Sequence, residues 1–308
     1  MTGVTGGIFT TGNHPKALWP GVQAWFGLKY AEHGKEYTDL FDVSSSSKNF
    51  EEDVGTTGLG MLQRKNEGQA TQYDSASQGF IKRYVPIAYS LGYIVTREER
   101  DDNQYEELSM KRSGMLAFSL NQSVETIHAN VYNRAFNSSY TGADGLELLS
   151  TAHVNLVGGT YSNKLNPAAD LSEQVLEDIT VQIMNAENDR GFKIALLPQK
   201  LIVAPAQFYE AHRILDSVLQ NDSANNAVNV LKAKSVIPGG VVLNHYLTDT
   251  DAWFVRTNCP EGLKSISRVA AEFTQDNDFD TDNAKAKVYV RFDAGWTDPK
   301  CLFGSAGA

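Results

Sequence analysis

The sequence predicts an α+β fold built from an extended hairpin, one long helix and a compact α/β unit inserted between them. Three observations predict it. Residues 58–88 contain a polar stretch, 63–79, in which Tyr73 is the single large apolar side chain. Residues 104–137 follow soon after with the spacing of one amphipathic helix. Residues 166–260 then alternate short apolar runs with helical patterns, which is typical of an α/β unit.

Composition indicates a folded, acidic chain. Its 308 residues are 42% hydrophobic and 21% charged, enough for a core in one or two domains and unlike a disordered protein. The net charge of −10 excludes a broad nucleic-acid-binding surface, because such a surface would repel phosphate. No apolar run approaches the about 20 residues of a membrane helix, and we expect neither a membrane contact nor a signal peptide.

Cysteines and histidines indicate no redox or metal centre. Cys259 and Cys301 form no CxxC pair, and we expect free thiols in a reducing cytoplasm rather than a disulfide. The six histidines show no spacing typical of a metal site. His128 and His212 fall on helical patterns, where a surface position or a hydrogen-bonded one is favoured over a ligand.

Residues 1–57 are predicted to form an N-terminal arm. Within it, Pro20 precedes a helical pattern that Gly34 would end. Trp19 and Trp25 are candidates for contacts with another subunit, because aromatic residues dominate the energetics of interfaces. Packing inside the subunit is the alternative for each of them.

Residues 58–88 are predicted to form a long two-stranded hairpin. The strands would be 69–73 and 80–87, with the tip at 75–79. A disordered loop is the alternative reading of this composition. Charges of both signs on a segment without a core predict docking on a neighbour, with solvated surface charges as the alternative. The candidate contact residues on this hairpin are Arg64, Lys65, Tyr73, Phe80, Lys82, Arg83 and Tyr84.

The long helix is predicted over residues 104–137. One apolar face recurs at helical spacing, and at 1.5 Å per residue the helix would be a rod roughly 45 Å long. Such a rod would serve as the spine of an extended subunit. The face consists of Leu116, Leu120, Val124, Ile127 and Val131.

Residues 166–260 are predicted to fold as the α/β unit. A first helix begins at Ser172 and ends at Gly191, and a second covers 206–220. Short apolar runs predict buried strands at 201–204, 241–243 and 253–255. Residues 265–274 and 285–296 alternate in strand fashion and would pair as a hairpin belonging with the long helix.

Motifs for catalysis are missing from the sequence, which predicts a protein that is not an enzyme. There is no GxSxG elbow, and the Gly-rich residues 55–60 lack the GK[ST] ending of a phosphate loop. An α/β enzyme built on residues 166–260 is the weakest of three functional hypotheses. We expect no cofactor.

Alternating carboxylates near the C-terminus resemble the start of a calcium-binding EF-hand loop. The pattern then fails, because Thr281 replaces the turn glycine and Lys287 stands where the bidentate glutamate belongs. A hairpin turn with solvated carboxylates is favoured, and a weak cation site at a subunit junction is the alternative. The residues concerned are Asp276, Asp278, Asp280 and Asp282.

From about Tyr73 to the C-terminus, a series of short motifs occurs in a specific order and spacing. The motifs are 96–98 (TRE), 133–136 (NRAF), 144–146 (DGL), 149–153 (LSTAH), 159–163 (GTYSN), 201–205 (LIVAP), 211–215 (AHRIL), 246–253 (YLTDTDAW), 262–263 (GL), Arg268, 278–281 (DFDT), 291–292 (RF) and 295–296 (GW). In the order and spacing of these motifs, the chain resembles the HK97-fold major capsid proteins of tailed phages, and specifically the Mu-like major head subunit family.

The resemblance implies an HK97-like capsid fold with four parts. These are an N-terminal arm (1–57), an extended hairpin called the E-loop (58–88), a peripheral domain in two pieces (89–165 and 261–308) and an α/β axial domain (166–260). The peripheral domain would hold the spine helix and a long β-sheet. The E-loop would lie over the adjacent subunit.

The resemblance also implies a function. Hexamers and pentamers of the chain would form an icosahedral shell enclosing double-stranded DNA without sequence-specific contact, assembled in the bacterial host cytoplasm and found in the virion. A portal and a decoration protein are implied partners. A separate scaffolding protein is expected, because Met1 is present and only about 55 residues precede the E-loop. An encapsulin-like nanocompartment shell enclosing a cargo enzyme is the alternative function.

Some relatives cross-link a lysine to an asparagine. Lys65 and Lys82 lie on the E-loop, but no motif identifies a reactive pair, so we assign no isopeptide bond.

Overall fold

The computed structural model describes residues 15–102, 105–220, 227–278 and 283–308, with side chains except at 15–21, 100–101 and 105–109. The chain divides into two compact units. The first contains the chain up to Lys35 together with Pro86–Thr126 and Ser267–Phe292. The second contains Glu36–Val85, Ile127–Ile266 and Asp293–Ala308.

Helices and strands are numbered in chain order. The helices are α1 (Pro15–Glu32), α2 (Tyr37–Leu40), α3 (Arg97–Asp101), α4 (Tyr105–Asn133), α5 (Glu173–Met184), α6 (Phe208–Asp216) and α7 (Val230–Ala233). The strands are β1 (Asp42–Ser45), β2 (Glu51–Thr56), β3 (Gln78–Tyr84), β4 (Ile87–Val95), β5 (His153–Val154), β6 (Thr160–Tyr161), β7 (Pro198–Val203), β8 (Val241–Leu243), β9 (Trp253–Thr257), β10 (Leu263–Asn277), β11 (Ala284–Trp296) and β12 (Leu302–Ser305).

In the first unit, helix α1 packs on a long antiparallel sheet. Strands β10, β11 and β4 are neighbours in that order, and β11 pairs with β4 from Ala284 opposite Val95 to Phe292 opposite Ile87. The Phe26 ring of α1 stacks on Phe273 of β10 with centroids 4.6 Å apart. The alternation predicted for β11 is confirmed, because every second residue from Ala284 to Phe292 is buried.

Helix α4 confirms the predicted spine helix, with 29 residues and a length of about 43 Å. Leu116 and Leu120 of the predicted face are buried, while the other three residues of that face are partly buried. The helix ends at Asn133, four residues earlier than predicted. The Asn133 amide donates to the Tyr246 carbonyl oxygen (3.1 Å) and accepts from the Thr248 amide (3.0 Å), so tertiary hydrogen bonds hold the last turn.

In the second unit, a four-stranded sheet packs against two apolar clusters. The strand order is β12-β9-β7-β8, with β7 and β8 parallel and the other pairs antiparallel. Helix α5 begins at the predicted Ser172, whose hydroxyl accepts from the Val175 amide. One core cluster joins α5 and α6 to one face of the sheet, and another includes Tyr132, Phe254 and residues of β12.

Several predicted boundaries are wrong. Helix α1 begins at Pro15 rather than after Pro20. Helix α5 ends at Met184 because residues 185–194 form a turn organised by the Asn188 carboxamide, in which Gly191 has φ of 77°. Helix α6 ends at Asp216 rather than residue 220, because Leu219 pairs with Val228 instead.

The predicted hairpin is present, but its first strand is not the one predicted. Residues 69–73 form no strand, and β3 pairs instead with β2, which lies in the segment predicted as the arm. Strands β4 and β12 were not predicted. Each depends on a partner distant in sequence, which a local alternation pattern does not reveal.

Candidate assembly surface

Strands β2 and β3 form an antiparallel hairpin stem that carries a cross-strand ion pair. Glu52 lies opposite Arg83, and their side chains form an ion pair with a hydrogen bond of 2.6 Å. Val54 lies opposite Ile81, and both side chains are about half exposed. A change of register follows Val54 at Gly55, where an added Cβ would lie 3.3 Å from the Phe80 carbonyl oxygen. The stem therefore has one cross-strand ion pair and an uncovered apolar face.

Residues 57–77 form the loop of this hairpin, which we call the hairpin loop. Its two ends are joined by Thr57 and Ser77, because the Ser77 amide donates to the Thr57 hydroxyl at 2.8 Å. Beyond this closure the apolar side chains face solvent: Leu62 is 101% exposed and Tyr73 is 95% exposed. Leu59 and Met61 are also exposed. Single exposed apolar residues are ordinary, but four on one loop indicate an interaction surface.

Asp74 organises the hairpin loop. Its carboxylate accepts hydrogen bonds from the amides of Gly60 (2.7 Å) and Ser75 (2.9 Å) and pairs with Arg190 at 2.6 Å. The Arg190 guanidinium also donates to the Ser75 carbonyl oxygen at 2.7 Å. These backbone hydrogen bonds, followed by the Arg190 contacts, hold the pKa of Asp74 below its ordinary value.

Of the candidate cations of the loop, Arg64 and Lys65 are exposed. Lys65 makes one long hydrogen bond, from Nζ to the Thr71 hydroxyl at 3.4 Å. Within the described parts of the chain, Arg64 contacts no carboxylate. These two side chains and Tyr73 are exposed, and their contact with a neighbouring subunit stays a prediction.

Tyr84 and Lys82 are used inside the subunit instead. The Tyr84 side chain is buried, its hydroxyl lies 2.7 Å from the Thr297 hydroxyl, and burial raises its pKa above the ordinary value. The Lys82 ammonium lies 5.2 Å from the Trp296 ring centroid, and burial lowers its pKa. The Tyr84 ring is buried, so it cannot anchor a neighbouring subunit. It packs within its own subunit, which is the alternative stated for it above. Phe80, by contrast, is 37% exposed.

Trp25 lines an apolar groove in the first unit. The groove lies between α1 and α4, where the Lys29 ammonium is 5.2 Å from the Trp25 ring centroid and Phe118 and Met115 are exposed. Trp25 thus retains an accessible face. The side chain of Trp19 lies outside the described residues.

The alternating carboxylates fall at the end of the β10–β11 hairpin. Asp278 pairs with Lys285, and the Asp276 carboxylate accepts from the amide of Asn277. Asp280 and Asp282 lie outside the described residues. The part of the chain that is described contains no group of three or more side chains able to hold a metal ion.

A cleft of about 630 Å³ lies at the base of the hairpin stem in the second unit. The sequence gives no sign of it, because its walls come from seven separate segments. Apolar side chains and carboxylates share these walls. The lining includes Glu52, Asp53, Val54, Phe80, Asp144, Val154, Leu156, Tyr161, Asp189, Glu261, Asp298 and Lys300.

One buried acid in this cleft is paired. The Asp144 carboxylate lies 2.6 Å from the His153 Nδ1 atom, and both side chains are buried. Although burial opposes ionisation, the hydrogen bond and charge of His153 hold the pKa of Asp144 below its ordinary value. The other ring nitrogen of His153, the last residue of the LSTAH motif, lies 3.3 Å from the Leu148 carbonyl oxygen.

The remaining titratable groups do not suggest catalysis. Cys259 and Cys301 are free thiols, as predicted, and burial raises the pKa of both above the ordinary value, which suppresses the nucleophilic thiolate. The His128 imidazole is buried, with Nε2 2.8 Å from the Ser265 hydroxyl, which is the hydrogen-bonded position expected for it. Among the helices that the structure describes, none has the length and apolar character needed to cross a bilayer.

The comparisons with known proteins agree with this architecture. Residues 81–304 match the model of a family described as phage capsid protein, and the chain belongs to that family. No curated protein sequence matches the chain.

Solved structures share its fold at low sequence identity. The capsid of Ralstonia phage GP4 superposes with a TM-score of 0.52 at 10% identity, over 87% of each chain. The procapsid of bacteriophage JBD30 gives 0.50 at 14% identity, over 94% of this chain and 74% of the other. A virus-like particle from Pyrococcus furiosus gives 0.50 at 11% identity, over 93% and 98%.

The predicted HK97-like capsid fold is therefore confirmed. Family and fold together define the chain as a structural protein of the capsid class. It is a phage capsid protein with an HK97-like fold.

Proposed function

We propose that this chain is the major head subunit of a tailed phage of the Mu-like type, and that it assembles as hexamers and pentamers around double-stranded DNA. The family match over residues 81–304 is the observation that carries the proposal. The motifs TRE, LSTAH and YLTDTDAW support the Mu-like assignment. The protein acts by shape and interface and catalyses no reaction.

The hairpin loop is the segment that we assign to contact with the adjacent subunit. Leu62 and Tyr73 are almost completely exposed in the isolated subunit. Burial of such side chains stabilises an interface by roughly 25 cal/mol for each Å² of apolar surface removed from water. Permanent interfaces of this kind bury about 2,000 Å² or more, which one loop from each of many copies helps to supply.

Charge supports the proposed contents of the shell. A net charge of −10 per chain gives a wall that repels DNA phosphates, so a genome can be packed and released without adhering. We assign the protein to the virion and its assembly to the host cytoplasm. A separate scaffolding protein, a portal and a decoration protein complete the proposed set of partners.

The alternative is a nanocompartment shell that encloses a cargo enzyme. The similarity to the virus-like particle from Pyrococcus furiosus is consistent with either shell, because it concerns the fold alone. The phage capsid family match favours the phage head.

Cryo-electron microscopy of the purified chain, alone and coexpressed with candidate scaffolding proteins, tests the proposal. We expect closed icosahedral shells in which residues 57–77 contact the adjacent subunit. A matched variant replaces residues 59–75 by a short Gly-Ser linker and should remain folded but lose the shells. Discrete monomers under every condition would contradict the proposal, and shells that co-purify with an enzyme and no DNA would support the nanocompartment.

A further inference from the structure

The cleft at the base of the hairpin stem has walls of two kinds. Apolar surface comes from Val54, Phe80 and Val154, which are 48%, 37% and 47% exposed. Six carboxylate side chains and one ammonium group complete the lining. A ligand that fits both walls has apolar and cationic groups close together.

The carboxylates of the cleft exceed the basic groups that neutralise them. Glu52 pairs with Arg83, Asp144 with His153, and Asp189 lies 3.7 Å from the Lys300 ammonium. Lys264 is shared by two of the acids, Asp53 and Glu261. The sixth acid, Asp298, accepts from the Lys300 amide and the Cys259 thiol rather than from a cation. The cleft therefore retains negative charge beside exposed apolar surface.

The hairpin loop has the complementary pattern. Met61 and Leu62 are exposed apolar residues, and Arg64 and Lys65 follow them directly. Neither cation is paired with a carboxylate in the part of the chain that the structure describes. No residue of the hairpin loop lines the cleft of its own subunit. The hairpin loop therefore leaves the cleft of its own subunit open.

We propose that the cleft binds residues 61–65 of the hairpin loop of a neighbouring copy. Leu62 packs against the wall formed by Phe80 and Val154, and Arg64 and Lys65 face the carboxylates, among which Glu52 and Glu261 are partly exposed. The inference rests on the proposed assembly and names the two surfaces that meet in it. Electrostatic complementarity of this kind fixes the register of an interface and weakens as salt increases.

Disulfide trapping between two variants, each with one added cysteine, tests the contact. Leu62→Cys and Val154→Cys copies are mixed, assembled and oxidised, and we expect a disulfide-linked dimer only in the mixture. Tyr73→Cys, on the other arm of the loop, is the matched control with Val154→Cys, and the unsubstituted chain controls for Cys259 and Cys301. Shells that form without a dimer above the Tyr73→Cys level overturn the inference while leaving the proposed function intact.

Charge reversal provides an independent measurement. Arg64→Glu with Lys65→Glu, or Glu52→Lys with Glu261→Lys, should each lower the assembled fraction about tenfold in low salt. The four changes together should restore assembly, since the two surfaces again carry opposite charges. Glu67→Lys, also in the loop, is the control and should assemble normally.

Two results of the charge-reversal experiment would count against the proposed contact. Failure of the fourfold variant to recover, with each variant folded by circular dichroism, overturns the inference. Absence of shells from the unsubstituted chain overturns the proposed function and this inference with it.

Discussion

The Asp74 carboxylate lies 2.6 Å from the guanidinium group of Arg190, which is 116 residues further along the chain. The same guanidinium group donates to the Ser75 carbonyl oxygen, and the Gly60 amide donates to Asp74. Asp74 thus joins the two arms of a loop that has no core of its own, and Arg190 fastens that loop to the turn that follows α5. This attachment restricts the loop before assembly, and so lowers the conformational entropy lost when a neighbour binds it.

Removing that attachment should expose the hairpin loop to proteolysis. In Asp74→Asn, the loss of the carboxylate weakens the Arg190 contact, and tryptic cleavage after Arg64 and Lys65 should accelerate about fivefold, because cleavage follows the population of the open loop. Mass spectrometry of the first fragments measures this rate. Lys193→Met, which removes an exposed ion pair with Glu187, is the control. Equal rates in the two variants would show that Asp74 does not restrain the loop.

Tyr84 should contribute to the stability of the subunit rather than to assembly alone. Its ring is buried, so Tyr84→Ala should lower the free energy of unfolding by about 3–5 kcal/mol. Tyr84→Phe removes only the hydrogen bond with Thr297 and should cost about 0.5–1.5 kcal/mol. Chemical denaturation of the unassembled subunit measures both. Tyr73→Ala, at an exposed ring, should be near neutral, and a similar loss there would contradict the assignment.

The core of the second unit depends on the buried face of α5. Ile179 is completely buried between this helix and the sheet, so Ile179→Ala should destabilise the subunit by about 2–5 kcal/mol through lost contacts and a cavity. Val181→Ala, two residues along the same helix on its exposed side, should change stability by less than about 0.5 kcal/mol. Denaturant midpoints compare the two variants directly, and equal midpoints would refute the assigned orientation of the helix.

The Asp144–His153 pair should make the free energy of unfolding depend on pH in the acid range. The pKa of Asp144 is lower in the folded protein than its ordinary value of 3.8, so the stability it contributes is complete above that ordinary value. That contribution is lost as the pH falls through the lower, folded value. Asp144→Asn should therefore cost about 1–3 kcal/mol at pH 7, and less at the acid end of the range.

Denaturation of both proteins between pH 7 and pH 3 measures this difference. Asp216→Asn removes an exposed aspartate that also pairs with a histidine and serves as the control. A difference between Asp144→Asn and the unsubstituted protein that stayed constant to the lowest pH would contradict the assigned charge pair.

Elements whose signal is local were predicted well. Helix α4 follows from apolar residues at helical spacing, and α5 begins at Ser172 because a serine hydroxyl satisfies a free amide at the first turn. The buried strand β8 was predicted at its observed bounds. In each case the signal that predicts the element lies in residues within a few positions of one another, although β8 itself pairs with the distant β7.

Elements whose position depends on distant partners were predicted less well. The sequence offered residues 69–73 as the outgoing strand of the hairpin, whereas β2 has that role because it pairs with β3 and carries Glu52 opposite Arg83. The sequence also did not show which aromatic side chains of the hairpin are exposed. Tyr73 and Tyr84 are the same residue type on one hairpin, yet one ring faces solvent and the other is buried beside Thr297.

By itself, the sequence determined the class of this protein: an acidic α+β chain with a spine helix, an α/β unit, a coreless loop and the ordered motifs of a phage capsid subunit. Only the tertiary structure decided which strand completes the hairpin, that Arg190 holds Asp74, and that six carboxylates share one cleft. The reason is physical. Periodicity and capping act between residues a few positions apart, whereas burial and charge pairing are set by residues that folding brings together from more than a hundred positions away.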